Sequence, residues 1–253
     1  MSLKKKKILL ISFLTLGYPK LEYTKQLVDA LIEGGTDIVE LGIPFSDPIA
    51  DGPVIQYSSQ KSLESGTNTD RCFSVIKNLR VNKPVILLTY YNIIYSFGIT
   101  EFVKKAKKCG TWGILVADLP IDEAKEFVKA CRKYRVKTIF IVAPNTSKNR
   151  IRKIASKTTG FLYLMAHFGV TGTKDNVEIL TLKAVKKIRS ITKVPVCVGF
   201  GISKGEHVAS LTKAGANGAI VGSAYIKRIK ESRNLNQMKK KLMELAQELK
   251  SQV

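Results

Sequence analysis

The sequence predicts an α/β protein of the (β/α)8 or TIM-barrel class, and three observations lead to this prediction. Short apolar runs recur eight times, separated by segments of helical periodicity or by polar loops. The runs are apolar throughout rather than alternating, as expected for parallel strands covered on both faces. Eight units account for the 253 residues, which is a usual length for this barrel. We therefore expect a single barrel domain over residues 1–253, with its active site at the carboxyl ends of the strands.

The eight apolar runs define the predicted strands in chain order. These are residues 8–14, 38–41, 85–90, 113–117, 138–142, 161–165, 194–198 and 218–221. The helix predicted after the fourth strand has apolar residues at i, i+3, i+4 and i+7, so that they share one buried face. They are Ala124, Phe127, Val128 and Cys131, and the last helix repeats the pattern with Met238, Leu242, Leu245, Ala246 and Leu249.

Helix ends are predicted from residues that stop or start helical backbone. Gly34, Gly35 and Gly215 each follow an apolar-periodic segment, where glycine commonly ends a helix. Asn145 or Thr146 precedes another such segment, so one of them is expected to begin a helix.

The net charge and the distribution of lysines limit the classes of molecule that the chain is expected to bind. The formal net charge of +22 would favour anionic partners, including nucleic acid. The lysines, however, are spread along the chain and fall largely on the polar faces of predicted helices, without the basic and aromatic cluster that nucleic-acid-binding surfaces show. We therefore predict no specific nucleic-acid partner, although an anionic small substrate would still be attracted by this charge.

The cysteine spacing argues against a metal site and disulfides, and the hydropathy pattern argues against a membrane span. The four cysteines have no C-x-x-C spacing and only two histidines accompany them, so we predict neither a metal site nor a disulfide framework. No apolar run reaches the length of a membrane span. Residues 1–16 superficially resemble a signal peptide, but a turn at 17–19 follows instead of a small-residue cleavage site. A cytoplasmic protein without membrane attachment is expected.

Two carboxylates at one strand–loop boundary are the main catalytic candidates. Glu40 lies among apolar residues of the second strand, where a carboxylate is costly unless it is paired or used. The loop that follows carries Asp51 and three prolines, which restrict the backbone and should hold the carboxylate in place. A buried Glu facing a loop Asp is typical of acid/base chemistry, whereas a solvated acidic loop would have the same spacing. The barrel favours catalysis, because it places both residues on the catalytic face.

Glycine-containing turns follow the later strands. Those at 199–203 and 222–224 stand after the seventh and eighth strands, where this barrel commonly binds phosphate through backbone N–H groups. Tight turns alone would also explain single glycines, but two at the expected positions favour a phosphate site. The loop at 167–176 is either a lid that closes over substrate or a plain surface loop, and its glycine content does not separate the two.

Taken in order, several segments resemble the tryptophan synthase alpha chain family over nearly the whole chain. The longest and most specific is 39–53, and the others are 13–17, 116–120, 143–145, 169–172, 199–203 and 222–224. The resemblance implies a (β/α)8 barrel that cleaves indole-3-glycerol phosphate to indole and glyceraldehyde 3-phosphate in tryptophan biosynthesis. It also implies an α2β2 assembly with a beta chain, which receives the indole and carries pyridoxal phosphate (PLP), and no metal or cofactor in this chain.

The resemblance further implies roles for individual residues. Glu40 would be the general acid/base, Asp51 would accept a hydrogen bond from the indole N–H, and Tyr163 would position substrate. The implied phosphate-binding residues are Gly172, Gly201, Gly222 and Ser223, and the implied lid residues are Gly169 and Thr171. The implied apolar indole pocket consists of Phe13, Leu88, Leu115, Ala117, Ile141 and Ile220. The implied beta-chain contacts are Asp47, Pro48, Asn92, Tyr95, Asp118 and Pro120.

One departure from the family pattern leaves an alternative open. Before the lid glycines the family usually has Ser-Arg or Ser-Leu, whereas this chain has Ala166, His167 and Phe168. His167 lacks a permanent charge and Phe168 adds bulk, so altered lid closure would make the chain a catalytically weak regulatory subunit that mainly stimulates the beta chain. A different barrel enzyme acting on a phosphorylated sugar is a further alternative, against which the Glu40 and Asp51 motif argues.

Overall fold

A computed structural model describes residues 8–165, 174–199 and 201–252, with only the backbone described at 174–178. Its eight parallel strands close into a barrel in the order β1 to β8, which confirms the predicted fold. The strands are β1 (Leu9–Thr15), β2 (Ile38–Gly42), β3 (Val85–Thr89), β4 (Gly113–Val116), β5 (Lys137–Val142), β6 (Leu162–Met165), β7 (Val196–Gly199) and β8 (Gly218–Val221). All lie within two residues of their predicted bounds.

Helices surround the barrel in the described parts of the chain. They are α1 (Thr24–Glu33), α2 (Pro53–Glu64), α3 (Thr69–Asn78), α4 (Tyr91–Phe97), α5 (Ile99–Lys108), α6 (Lys125–Tyr134), α7 (Lys148–Lys157), α8 (Lys174–Ile191), α9 (Gly205–Ala214), α10 (Ser223–Lys230) and α11 (Leu235–Ser251). Two helices rather than one follow β2, β3 and β8. Among the residues that the structure describes, no helix has both the length and the apolarity needed to cross a membrane.

Alternation along the strands separates a sealed barrel floor from an open cavity. The floor is a buried layer contributed by seven strands and by Phe161, directly before β6: Ile11, Ile38, Ile86, Leu115, Ile139, Phe161, Cys197 and Ile220. Side chains of a parallel strand point to the same face at every second residue. On β2, for example, Glu40 therefore shares the barrel interior with Ile38, while Val39 and Leu41 pack outward against the helices. The site thus lies above a packed apolar layer.

Closure of the barrel joins the two ends of the chain. The first strand pairs with the last, with Leu9 opposite Gly218 and Ser12 opposite Val221. Outside the barrel α1 packs against α11. The carboxylate of Asp37 accepts a hydrogen bond from the Leu10 N–H at 2.8 Å and forms an ion pair with Lys250 at 2.6 Å. The N-terminal strand is therefore held by residues from the end of the chain.

Two predicted boundaries are wrong for local reasons. Helix α7 is capped by Ser147, whose side chain accepts from the Arg150 N–H, and not by Asn145 or Thr146. The Thr146 hydroxyl is engaged earlier, because it accepts from the Ala143 N–H within the turn. The third strand stops one residue early, since Tyr90 belongs to the start of α4. The predicted helix ends at Gly34, Gly35 and Gly215 are confirmed.

Candidate active site

One cavity of about 240 Å³ at the carboxyl ends of the strands collects most of the predicted site residues. It is lined by the catalytic candidates Glu40, Asp51 and Tyr163, by the predicted phosphate residues Gly201, Gly222 and Ser223, and by the predicted indole pocket of Phe13, Leu88, Leu115, Ala117, Ile141 and Ile220. Gly172, the lid residues Gly169 and Thr171, and the departure at 166–168 lie outside the described residues.

Glu40 is the buried acid of this cavity. Its strand neighbours are Phe13 on β1 and Ile86 on β3, and its side chain is 0% exposed. Neither carboxyl oxygen has a hydrogen-bond partner among the described residues. Burial, and after it the charge of Asp51, raises the pKa of Glu40 to about 8. Glu40 is therefore mainly protonated at neutral pH and able to donate a proton.

Asp51 is placed by its own loop and by one tyrosine. Its backbone N–H donates to the carbonyl of Pro48 at 3.0 Å. Its Oδ2 accepts a hydrogen bond from the Tyr90 hydroxyl at 2.9 Å, and that hydroxyl accepts from the Ala50 N–H at 3.3 Å. The buried Tyr90 ring stacks on Phe45 with 5.1 Å between ring centroids. The position of the Asp51 carboxylate thus depends on a packed aromatic pair.

The environment of Asp51 leaves it more acidic than Glu40. Burial raises the pKa of Asp51 to about 6, and the hydrogen bond from Tyr90 opposes this rise by stabilising the carboxylate. At neutral pH Asp51 is therefore mainly ionised while Glu40 is mainly protonated. Two carboxyl groups with separated pKa values in one cavity can act as an acid and as a charged hydrogen-bond acceptor.

Tyr163 faces the same cavity from β6, and a glycine makes room for it. A Cβ atom at Gly199 on the neighbouring strand would lie 2.3 Å from the Tyr163 hydroxyl oxygen, so a larger residue there would displace the phenol. Burial, followed by the charges of Glu40 and Asp51, raises the pKa of Tyr163 well above its ordinary value. The phenol therefore stays neutral and can donate a hydrogen bond near both carboxyl groups.

The predicted phosphate residues meet at one end of the cavity. Gly222 precedes α10 and Ser223 is its first residue, so the helix N-terminus opens onto the cavity. Its unpaired N–H groups and its dipole favour an anion. Gly201, after β7, adopts φ +75°, a backbone conformation that favours glycine. Lys227, one turn into α10, also lines the cavity and was not predicted from the sequence.

The predicted partner residues lie beside one another on the catalytic face. Asp47 and Pro48 follow β2, Asn92 and Tyr95 belong to α4 after β3, and Asp118 and Pro120 follow β4. The Tyr91 N–H donates to Asp118 Oδ1 at 2.6 Å, which ties α4 to the loop after β4. Two large apolar side chains are exposed on this surface, Ile49 at 81% and Tyr95 at 67%. The sequence prediction missed Ile49, which stands beside Pro48.

The arrangement defines a class of protein. A closed (β/α)8 barrel carries two carboxyl groups with different pKa values in a largely apolar cavity that ends at a helix N-terminus, which is typical of a barrel enzyme that acts by acid/base catalysis on an anionic substrate. Within that class the family is specific. The family model described as tryptophan synthase alpha chain matches residues 1–253, and the chain belongs to this family.

Individual relatives agree with the family match. The chain is 44% identical over 248 residues to the tryptophan synthase alpha chain of Methanosarcina barkeri, covering 98% of this chain and 92% of the relative. It is 44% identical over 245 residues to that of Methanococcus vannielii, covering 96% and 94%. A solved structure of the tryptophan synthase α2β2 complex from Pyrococcus furiosus is similar at a TM-score of 0.90 and 41% identity, covering 97% of this chain and 98% of that chain. The expected function, a lyase of tryptophan biosynthesis, is confirmed by this membership.

Tyr90→Phe tests how Asp51 is kept ionised. Removing the hydroxyl removes the hydrogen bond that stabilises the Asp51 carboxylate, so the pKa of Asp51 rises above about 6. We expect kcat/KM for the family substrate to fall severalfold at pH 6.5 and much less at pH 8, on the order of one hydrogen bond to a charged group. Tyr134→Phe at the end of α6, outside the cavity, is the matched control. An equal loss at both pH values would contradict the interpretation.

Proposed function

We propose that this chain cleaves indole-3-glycerol phosphate by a retro-aldol reaction in which Glu40 and Asp51 have separate tasks. The observation that supports the proposal is the shared cavity, where burial and local contacts give the two carboxyl groups different pKa values. An acid is needed because the indole ring leaves as a neutral molecule only after protonation at C3. An ionised acceptor is needed because this protonation places positive charge on the ring.

The reaction begins with proton transfer to the ring. Protonated Glu40 donates its proton to indole C3, and positive charge develops on the ring nitrogen. Ionised Asp51 accepts a hydrogen bond from the indole N–H and stabilises that charge. A charged acceptor at this position is more effective in a water-poor cavity than in solution, because the surrounding dielectric is low.

Bond cleavage returns the proton to Glu40. The glycerol hydroxyl on the carbon bonded to indole C3 gives its proton to the Glu40 carboxylate, and its oxygen forms the carbonyl of glyceraldehyde 3-phosphate. The carbon–carbon bond breaks, and its electron pair restores the aromatic indole. Glu40 ends in its starting protonation state, so one carboxyl group serves both steps. The neutral Tyr163 hydroxyl positions the part of the substrate that lies between the two carboxyl groups.

The rest of the cavity binds the two ends of the substrate. The six apolar residues of the predicted indole pocket surround the ring, and the N-terminus of α10 with Gly201 binds the phosphate. The predicted lid residues Gly169 and Thr171 and the predicted phosphate-binding residue Gly172 lie outside the described residues, and their roles stay predictions. We propose that the reaction uses the side chains of this chain without a metal or cofactor, in the cytoplasm.

The beta chain is the proposed protein partner and the proposed site of PLP. The surface formed by the loops after β2 and β4 and by α4 presents the exposed apolar residues Ile49 and Tyr95 next to the predicted contacts. Exposed apolar side chains grouped in this way mark interaction surfaces. The Tyr90 contact with Asp51 and the Tyr91 contact with Asp118 connect this surface to the catalytic loop. Docking there would therefore act on the position of Asp51.

An assay of indole release, with and without a beta chain, tests the proposed function. We expect release of indole and glyceraldehyde 3-phosphate from indole-3-glycerol phosphate, with strong stimulation by the beta chain. The regulatory alternative, motivated by Ala166, His167 and Phe168, predicts negligible indole release by the wild type together with full stimulation of the beta chain by Glu40→Gln. That pair of results would reject catalysis as the main function.

The pH dependence of kcat/KM should follow the two carboxyl groups. The active form has Asp51 ionised and Glu40 protonated, so activity rises as pH passes about 6 and falls as pH passes about 8. Because the groups interact, the two limbs report ionisations of the pair. Initial rates in constant-ionic-strength buffers between pH 5 and 10 measure this profile. Activity that still rises above pH 9 would contradict Glu40 as the acid.

A further inference from the structure

We infer that Lys227 recognises the substrate phosphate and sets the preference for the phosphorylated compound over its dephosphorylated form. This inference rests on the proposed function. The phosphate end of the cavity described above consists of glycines, a serine and backbone groups, none of which carries a full positive charge. Lys227 supplies one at the same end.

Helix geometry places Lys227 over the helix N-terminus. Ser223 and Lys227 stand four residues apart on α10, so their side chains lie on the same face one turn apart. Both line the catalytic cavity, together with Gly222 before the helix and Ile202 after β7. The long stem of a lysine follows apolar surface while its ammonium group remains in water at the cavity mouth. The ammonium can therefore approach an anion held by the helix N-terminus.

The charges around the cavity distinguish this lysine from the other lining residues. Among the described residues that line it, Lys227 is the only cation, whereas Glu40 and Asp51 are acidic. A phosphate dianion that enters beside an ionised Asp51 is repelled unless a positive charge lies closer. Lys227 forms no ion pair with any residue that the structure describes, so its charge is not already neutralised.

Neighbouring cations on the same helix are placed differently. The Lys230 ammonium lies over the Tyr57 ring, 4.0 Å from its centroid. Arg228 lines a separate surface cleft that it shares with Glu244 and Glu248 of α11. Neither residue therefore shares the position of Lys227 at the cavity, although both are close to it in sequence. Arg228→Gln is a matched control for Lys227→Gln, because both substitutions remove one positive charge.

The first test measures binding of inorganic phosphate to the whole chain by calorimetry. Lys227→Gln should weaken binding about tenfold at low ionic strength, because an exposed charge pair with a dianion is lost, and the difference should shrink at high salt. Lys227→Arg should restore most of the affinity. Arg228→Gln should bind phosphate like the wild type. Equal affinities of Lys227→Gln and Arg228→Gln would overturn the inference.

The second test compares substrates. Lys227→Gln should lower kcat/KM for indole-3-glycerol phosphate about tenfold more than for indole glycerol, mainly through KM, because only the first carries the phosphate. Equal losses for both substrates would overturn the inference and make Lys227 a structural residue. If the wild type released no indole, the proposed function would fail, while the phosphate titration would still decide the role of Lys227.

Discussion

Glu40→Gln is expected to lower kcat for indole release about a thousandfold or more. The amide has nearly the shape of the protonated carboxyl group, but it can neither give a proton to indole C3 nor take one from the glycerol hydroxyl. Both proton transfers are lost together, at the upper end of the effect of a single acid/base group. The change also removes the possibility of a negative charge at a position that is fully buried without a hydrogen-bond partner among the described residues.

The same substitution should stabilise the fold, which separates lost chemistry from lost structure. The folded protein binds the Glu40 proton more tightly than the unfolded chain, because the pKa rises from 4.5 to about 8 on folding. The free energy of unfolding therefore decreases as pH increases through this range. The decrease is roughly 5 kcal/mol at most, because each unit of pKa shift corresponds to 1.36 kcal/mol. The glutamine variant does not ionise and escapes this loss.

Denaturant unfolding at pH 5 and pH 8 measures the stability effect, and a single-turnover assay measures the chemical one. Glu40→Gln should gain a few kcal/mol over wild type at pH 8 and much less at pH 5. Glu33→Gln, on the exposed surface of α1, should change neither quantity. Wild-type turnover by Glu40→Gln would remove Glu40 from the reaction, and a loss of stability at pH 8 would contradict its burial as an acid.

Asp51→Asn should lower kcat about a hundredfold, the second largest effect that we expect. The amide oxygen can still accept a hydrogen bond from the indole N–H, but it carries no charge to stabilise the ring cation. Losing one charge-stabilising contact in a preorganised site typically costs two to three powers of ten in kcat. The loss should fall on kcat more than on KM, because the ring is charged only during the reaction.

Loss of the acid limb distinguishes this effect from simple disruption of the loop. With a neutral side chain at position 51, the residual activity should no longer rise through pH 6. It should still fall at higher pH with Glu40, but below about pH 8, because the charge of Asp51 no longer helps to raise the pKa of Glu40. Asp29→Asn, which removes an exposed ion pair with Lys25, controls for the change in charge. A variant that kept the acid limb unchanged would show that another group is responsible for it.

Sequence patterns predicted the strands well and the helix boundaries less well. The strands of a parallel barrel are buried on both faces, so their apolar runs are conspicuous and nearly complete in the sequence. Helix boundaries depend on side-chain hydrogen bonds such as those of Thr146 and Ser147, where two adjacent polar residues are equally good candidates. The pairs of helices after β2 and β3 were not predicted, because each pair reads as a single periodic region interrupted by a glycine or a cap.

Some residues of the candidate site were predicted from the sequence, and others were missed. Glu40 and Asp51 are visible as charges in unexpected places, and the family resemblance named most of the other lining residues. Tyr90 was missed, because it ends an apolar run and looks like one more strand residue, while its hydroxyl reaches a carboxylate 39 positions earlier. Lys227 was missed, because it is one of many lysines on helices. Only its position on the face of α10 that lines the cavity distinguishes it from the other lysines.

Pairing of the first strand with the last also constrains the order in which the protein can be assembled during translation. The ribosome delivers β1 first, yet one edge of that strand lacks its partner until Gly218 to Val221 have been synthesised. For most of synthesis the nascent chain therefore exposes an open sheet edge, the kind of surface that invites incorrect association. Phe13 on β1 and Gly222 after β8 become neighbours only at closure, so the end of the cavity that we propose for the phosphate is completed last.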